Sequence, residues 1–317
     1  MHEPFPLRIT AEIEAALSSR APIVALESSV FAQGLPIPHN RTAATAMMRA
    51  VSSRGAVPAI TAVVRGVPTI GLEHAELERF LARDGVRKVS ARDLSVAVAA
   101  GEDGATTVAA TLALCALASV RVFATGGIGG VHREPAFDES ADLHELARSP
   151  LVVVCAGAKS ILDLPATLER LETLGVPVIG YGTSEVPGFF TAETGLAVSG
   201  RADSPADVAR IVGAHFALGR RGAVLIVVPP PAEFALSRAR VEQTVERALK
   251  EARARGVRGA AVTPMLLAEI ERETEGRSLA ANLALLERNA AVAADIAVAA
   301  RDVLEESIEL GGVRMVQ

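Results

Sequence analysis

Short apolar runs rich in β-branched residues alternate with longer stretches of helical composition along most of this sequence. The runs predict buried strands at Ile23–Leu26, Ala59–Val64, Val120–Ala124, Leu151–Val154, Val176–Ile179 and Ala223–Val228. The stretches between them predict helices at Arg41–Ser53, His74–Ala82, Thr106–Ala118, Ser140–Ala147, Pro165–Leu174, Pro205–Leu218 and Ser237–Arg255. Such alternation predicts an α/β fold with a largely parallel central sheet covered by helices on both faces.

The last part of the chain departs from this alternation. From Thr263 onward, helices are predicted at Pro264–Thr274 and Ser278–Leu304 with no strand between them, and we expect both to pack across the sheet. No repeat and no low-complexity tract interrupts the chain. The sequence therefore predicts a single domain over residues 1–317.

Charge and hydrophobicity argue against several classes of partner. The net charge of −5 gives no broad positive field, so we expect no nucleic-acid partner. The longest stretch without a formal charge, Gly104–Val120, is shorter than the roughly 20 apolar residues of a membrane span. Met1–Thr10 does not resemble a secretory signal, so a cytoplasmic location is expected. Cys115 and Cys155 lie in apolar runs and are expected to be buried thiols.

Glu27 ends the first apolar run and is the first candidate for chemistry. In open α/β sheets functional groups gather at the carboxyl ends of the strands. Burial there would raise the pKa of the carboxylate and suit it to proton transfer. The alternative is a strand-end residue that only accepts hydrogen bonds from loop amides.

A glycine-rich loop, Thr125-Gly-Gly-Ile-Gly-Gly-Val-His-Arg133, follows another predicted strand. Without side chains its backbone amides can approach an anion, while His132 and Arg133 supply charge, so the loop is a candidate phosphate nest. It matches neither the dinucleotide-binding fingerprint nor the P-loop pattern. The alternative is a tight turn without a ligand.

Lys159 follows the strongly apolar run Leu151–Val154. Loss of solvent there would favour a neutral amine, which can form a Schiff base with a carbonyl carbon. The alternative is the solvated lysine that is common at protein surfaces.

Further polar residues carry weaker signals. Asp138 and Asp142 lie four apart near the glycine loop, where their oxygens would suit Mg²⁺ or Mn²⁺, or would favour a helix N-terminus instead. Lys88 would bind phosphate or lie in a solvated turn. Asn282, on a predicted helix, would ordinarily be an exposed polar residue.

Most of the candidate residues lie within a series of short motifs along the chain. In order, the motifs are Ala25-Leu-Glu-Ser-Ser, Gly34-Leu-Pro-Ile-Pro, Arg54-Gly-Ala-Val-Pro-Ala, Lys88-Val-Ser, Thr106-Thr-Val-Ala-Ala-Thr, Phe123-Ala-Thr-Gly-Gly-Ile-Gly-Gly-Val-His-Arg, Ser140-Ala-Asp-Leu, Val154-Cys-Ala-Gly-Ala-Lys-Ser-Ile-Leu-Asp and Gly180-Tyr-Gly-Thr. Taken together, these motifs resemble the pseudouridine-5′-phosphate glycosidases, which share a fold with the indigoidine synthase A-like proteins. The resemblance covers about residues 21–300, in the same order.

The resemblance implies an α/β/α sandwich, a homotrimer, a divalent metal with Mn²⁺ favoured, and no organic cofactor. The implied reaction is the reversible conversion of pseudouridine 5′-phosphate and water to uracil and ribose 5-phosphate. By position, the implied roles are catalysis for Glu27 and Lys159, metal binding for Asp142, and substrate binding for Lys88, Thr107, Val108, Thr125, His132 and Asn282. The segment after Arg133 is shorter than in the family.

The chemistry agrees with these roles. A carbon–carbon glycosidic bond has no leaving heteroatom to protonate, so the usual glycosidase carboxylate pair cannot release the base by itself. An imine between Lys159 and C1′ of the opened sugar would accept electrons while Glu27 transfers protons. Two alternatives stay open: a related lyase acting on another base, and a noncatalytic sugar-phosphate-binding protein.

Overall fold

The computed structural model describes residues 7–134, 137–257 and 262–304. Its strands are β1 (Arg8–Ile9), β2 (Ile23–Glu27), β3 (Val57–Val64), β4 (Val67–Ile70), β5 (Val86–Val89), β6 (Asp103–Thr106), β7 (Val122–Ala124), β8 (Val152–Cys155), β9 (Val178–Tyr181), β10 (Gly200–Ala202) and β11 (Val224–Val227). Its helices are α1 (Ala11–Ser18), α2 (His39–Ser52), α3 (His74–Ala82), α4 (Leu94–Ala99), α5 (Val108–Leu117), α6 (Ala141–Arg148), α7 (Leu164–Thr173), α8 (Pro205–Ala217), α9 (Arg238–Ala254), α10 (Val262–Glu273) and α11 (Arg277–Ala299).

These eleven strands form one sheet in the order β1-β4-β3-β2-β7-β8-β11-β9-β10, with β6 pairing with β3 and β5 with β6. The pairs β2–β3, β2–β7, β7–β8, β8–β11, β11–β9 and β9–β10 are all parallel. The predicted α/β fold with a largely parallel sheet and helices on both faces is therefore confirmed. All four residues of β8 and of β11 are buried, as expected for strands covered on both faces.

The sequence did not predict the antiparallel part of the sheet. β3 and β4 form a hairpin through Arg65 and Gly66, which both have positive φ, as a two-residue turn requires. β6 also runs antiparallel to β3. The predicted helix Thr106–Ala118 starts later, at Val108, because Thr106 ends β6. The short elements β1, β5, β10, α1 and α4 were missed as well.

The C-terminal helices differ from each other in their packing. α11 contacts α2 and α8 and lies against β2, β7 and β8, so it packs across the sheet as expected. α10 packs chiefly against α9, and its predicted place on the sheet is wrong. No helix in the described ranges is long and apolar enough to cross a membrane. The prediction of one domain over residues 1–317 stays a prediction.

Candidate active site

Three neighbouring parallel strands bring the main candidates together. β2, β7 and β8 are adjacent, so their carboxyl ends lie along one edge of the sheet. Glu27 is the last residue of β2, Thr125 follows β7 directly, and Lys159 lies four residues beyond the end of β8. β6 returns to the same edge from the antiparallel part of the sheet, and Lys88 lies on β5 beside it.

Glu27 is buried, with 6% of its surface exposed, and both its carboxylate oxygens accept hydrogen bonds. Oε1 accepts from the hydroxyl of Thr125, and Oε2 accepts from the hydroxyl of Ser29 at 2.7 Å. Burial raises the pKa of Glu27, whereas the charge of Lys159 and the two hydroxyls act in the opposite direction. A proton is therefore held more readily on Glu27 than on an exposed glutamate.

Glu27, Lys88, Asp142 and Lys159 lie close enough for their charges to interact. The charge of Lys159 lowers the pKa of Glu27 and that of Asp142 raises it. Burial lowers the pKa of Lys88, and the charge of Lys159 lowers it further, whereas Glu27 and Asp142 oppose that shift. Two buried acids, Glu27 and Asp142, beside two less buried lysines at the carboxyl edge of the sheet form an arrangement suited to proton transfer.

The glycine loop is packed against the protein, and the predicted phosphate nest is wrong for much of it. The N–H groups of Ile128, Gly129 and Val131 donate to Gly157 O, Asp142 Oδ2 and Thr167 Oγ1, respectively. None of the loop's four glycines has positive φ. Their missing side chains instead allow close packing, since a Cβ on Gly130 would lie 2.4 Å from Thr167 Oγ1.

Arg133 does not supply its charge to a phosphate in the way that the sequence suggested. Its guanidinium forms a bidentate pair with Glu242 of α9, at 3.0 and 3.1 Å, and its Nε donates to Leu162 O. Arg133 therefore ties the end of the glycine loop to α9. The shortened segment after it includes residues 135 and 136, which lie outside the described ranges.

Asp142 is 7% exposed and connects three elements around the site. Oδ1 accepts from Ala109 N at the start of α5 (2.9 Å), and Oδ2 accepts from Gly129 N in the glycine loop (2.8 Å). Asp142 itself lies in the first turn of α6, whose N-cap residue is Ser140. Its carboxylate thus satisfies a helix N-terminus and fixes the loop.

The donor set around Asp142 restricts which metal fits. Within the described residues, no group of three or more His, Cys, Asp or Glu side chains could hold a metal ion. A zinc-type cage therefore does not fit. A carboxylate can bind further donors or ions beyond its two amide contacts. Binding of Mg²⁺ or Mn²⁺ at Asp142, with most of the ligands supplied by water, stays a prediction.

Thr107 and Val108 lie where β6 passes into α5. The hydroxyl of Thr107 is buried and has no hydrogen-bond partner among the described residues. An orphaned hydroxyl beside the cluster is a candidate for a ligand contact. Val108 is the first residue of α5 and its side chain is buried in the core, so only its backbone is suited to polar contact with a substrate.

His132 and Asn282 are less closely tied to the cluster. Both are partly exposed, and no side-chain hydrogen bond joins either of them to the rest of the site within the part of the chain described. The backbone N–H of His132 donates to Asp138 O, which shapes the end of the glycine loop. Asn282 lies on α11, the helix packed across β2, β7 and β8. Their substrate-binding roles stay predictions.

A buried network of hydroxyls beneath the site was missed. Thr106 Oγ1 lies 2.8 Å from Thr61 Oγ1, which lies 2.9 Å from Thr111 Oγ1, and Thr106 N donates to Ser28 Oγ at 2.9 Å. The network joins the end of β2 to β3, β6 and α5. It therefore fixes the positions of Glu27 and Thr107 relative to each other. The signals in the sequence are threonines within apolar stretches, Thr61 in one predicted strand and Thr106 and Thr111 in one predicted helix.

Comparisons with known proteins show the family of the chain. The model of the family described as "Indigoidine synthase A like protein" matches residues 12–299. A protein named pseudouridine-5′-phosphate glycosidase from Gemmatimonas aurantiaca is 63% identical over 92% of this chain and 95% of its own length. Another of that name, from Herpetosiphon aurantiacus, is 53% identical over 92% of this chain and 97% of its own length.

Two solved structures are similar over nearly the whole chain. The prealnumycin C-glycosynthase AlnA in complex with ribulose 5-phosphate has a TM-score of 0.90 and 38% identity, covering 96% of this chain and 100% of its own. An indigoidine synthase A-like protein from Thermotoga maritima has a TM-score of 0.86 and 34% identity, covering 95% and 98%. The resemblance predicted from the motifs is confirmed, and the chain belongs to the indigoidine synthase A-like family.

Proposed function

We propose that this chain is a pseudouridine-5′-phosphate glycosidase, which converts pseudouridine 5′-phosphate and water reversibly to uracil and ribose 5-phosphate. The observation that carries the proposal is the buried carboxylate of Glu27 at the carboxyl edge of the sheet, close enough to the half-buried Lys159 for the two charges to interact. Relatives with 63% and 53% identity bear that name, which supports the choice of substrate.

Transfer of one proton prepares both catalytic groups. A proton that moves from the Lys159 ammonium to the Glu27 carboxylate leaves a neutral amine beside a neutral acid. Burial raises the pKa of Glu27, which favours the protonated form of this carboxyl group. The amine is then a nucleophile and the acid a proton donor.

The carbon–carbon bond is cleaved after the sugar ring opens. Nζ of Lys159 forms a bond to C1′ as the bond from C1′ to the ring oxygen breaks, and that oxygen takes up the proton that the attacking nitrogen loses. The nitrogen lone pair then forms a C=N bond while the electrons of the C1′–C5 bond pass to the base, which Glu27 protonates at C5. Water hydrolyses the remaining imine and releases ribose 5-phosphate.

Binding of the phosphate places C1′ near the amine. Lys88 supplies positive charge, and the free hydroxyl of Thr107 and the side chain of His132 are further candidates for phosphate contact. Contacts remote from the breaking bond can position the reacting carbon. A divalent cation, Mn²⁺ by the family resemblance, would be held by Asp142 and would add positive charge to this pocket.

We further propose that the protein is a homotrimer and that it is located in the cytoplasm.

A second candidate function is formation or cleavage of a carbon–carbon bond between a sugar phosphate and another aromatic ring. The observation that favours it is the likeness to the prealnumycin C-glycosynthase, at 38% identity. The first candidate stands ahead because relatives with the glycosidase name are more similar. Incubation with ribose 5-phosphate and a panel of aromatic acceptors, uracil included, separates the two.

The test is uracil release from pseudouridine 5′-phosphate in the presence of Mn²⁺, with a metal-free control. The chain has three lysines, Lys88, Lys159 and Lys250. Lys159→Ala is expected to abolish release, whereas Lys250→Ala, at an exposed position on α9, is the matched control and should behave like the native protein. No release by the native protein would contradict the substrate assignment.

A further inference from the structure

Asn289 is fully buried in the middle of α11, with 0% of its surface exposed. Its neighbours on the buried side of the helix include Leu285, Leu286, Val292 and Ala293. Asparagine is a poor residue for a helix interior, and burial of an amide is unfavourable unless it forms hydrogen bonds. Its presence among apolar residues therefore points to a specific polar contact.

That contact lies at the junction of β7 and the glycine loop. Nδ2 of Asn289 donates to the carbonyl oxygen of Thr125 at 2.8 Å and to that of Gly126 at 3.3 Å. Two carbonyl acceptors fix the orientation of the amide, because the flipped side chain would place its oxygen against them. Its Oδ1 has no partner among the described residues, so the amide group of Asn289 is used only as a donor.

The junction of β7 and the glycine loop carries the hydroxyl group that donates to Glu27. The backbone N–H of Thr125 donates to Val154 O of β8 at 3.0 Å, while its carbonyl oxygen accepts from Asn289. Thr125 is thus held by β8 through its backbone N–H group and by α11 through its carbonyl oxygen. From this position its hydroxyl donates to Glu27 Oε1.

We infer that Asn289 is a positioning residue for the reaction, holding the Thr125 backbone so that the Thr125 hydroxyl stays bonded to Glu27. The expected change in kcat rests on the proposed function. The expected change in the Thr125–Glu27 hydrogen bond rests on the structure alone. The charged groups that face Glu27 are Lys159, Asp142 and Lys88, and none of them contacts Asn289 through a hydrogen bond in the described ranges.

Asn289→Leu removes the donor and keeps the branching and the number of heavy atoms of the side chain, and it is the test variant. A displacement of Thr125 and Glu27 by about 1 Å is expected to lower kcat for uracil release by about 100-fold, with KM nearly unchanged. Ser278→Ala is the matched control, since it removes a side-chain hydrogen bond that a buried residue of the same helix donates to Glu271, away from the site. It should keep the native kcat. Asn289→Ala replaces the leucine variant if that protein does not fold.

A double-mutant cycle shows whether Asn289 acts through Thr125. Thr125→Val removes the hydroxyl that donates to Glu27. Because coupled residues are not additive, Asn289→Leu should then lower kcat by no more than about twofold further. A full additional loss of about 100-fold on the Thr125→Val background would overturn the inference.

A crystal structure of Asn289→Leu separates this inference from the substrate assignment. The expected result is loss of the Thr125–Glu27 hydrogen bond in the variant and its retention in the native protein and in Ser278→Ala. If the bond persists in Asn289→Leu, the inference is wrong whatever the substrate. Absence of uracil release by the native protein, with the bond lost in the variant, would contradict only the proposed function.

Discussion

Substitution of Gly129 by alanine distinguishes two roles for the glycine loop. A Cβ on Gly129 would lie 2.3 Å from Ser140 Oγ and 2.9 Å from Asp142 Oδ2, whereas ordinary contact begins near 3.4 Å. The loop and the start of α6 must therefore move apart by about 1 Å, which strains the Gly129 N–Asp142 bond and the Ser140 cap. Close packing, rather than anion binding, explains why glycine occupies position 129.

The size of the effect follows from that overlap. Added volume in a closely packed site typically lowers the free energy of unfolding by about 1–3 kcal/mol. For a protein of this size each kcal/mol lowers Tm by about 2–4 °C, so a loss of a few degrees is expected. Because Asp142 moves with the loop, kcat for uracil release should also fall, by about 100-fold for a 1 Å displacement.

The assay is thermal unfolding of the ligand-free protein together with uracil release. Gly200→Ala is the matched control, since its Cβ would meet only Ile179 Cδ1 at 3.4 Å. It should leave Tm and kcat unchanged. If Gly129→Ala keeps the native Tm without ligand and only raises KM, then the glycine serves an anion and the packing argument is refuted.

Three further predictions concern the substrate pocket and the assembly. Because burial and Lys159 lower the pKa of Lys88, its positive charge is lost as pH rises through a pKa below the ordinary 10.5. KM for pseudouridine 5′-phosphate should therefore rise at alkaline pH in the native protein and stay flat in Lys88→Arg. Asp142→Asn keeps one acceptor oxygen for two backbone N–H groups, so the free energy of unfolding should fall by about 1–3 kcal/mol, as measured by thermal unfolding. Activation by Mn²⁺ should also weaken, as measured by metal titration. Light scattering should give three times the chain mass of 32.9 kDa, and a monomer would contradict the proposed trimer.

The strand-end residues could be predicted because each follows a run that must be buried. Glu27 and Lys159 come after apolar strands, and neighbouring parallel strands end at one edge of the sheet. Their approach therefore needed only the fold class. The hairpin of β3 and β4 was missed because its turn uses Arg65 rather than the usual asparagine or glycine at that position.

The remaining contacts join residues far apart in the sequence, and so local pattern does not show them. Arg133 meets Glu242 across 109 positions, and Asn289 meets Thr125 across 164. The glycine loop predicted an anion nest because its composition permits one. The acceptors that use its amides, Asp142 and Thr167 among them, become visible only when the chain is folded.

The central claim is that Lys159 forms an imine with the sugar phosphate. Borohydride reduction in the presence of ribose 5-phosphate, followed by mass spectrometry of the digested protein, tests it most directly. The account predicts one reduced adduct, on the peptide that carries Lys159, and none on Lys88 or the exposed Lys250. An unmodified Lys159 in a protein that still releases uracil would contradict it.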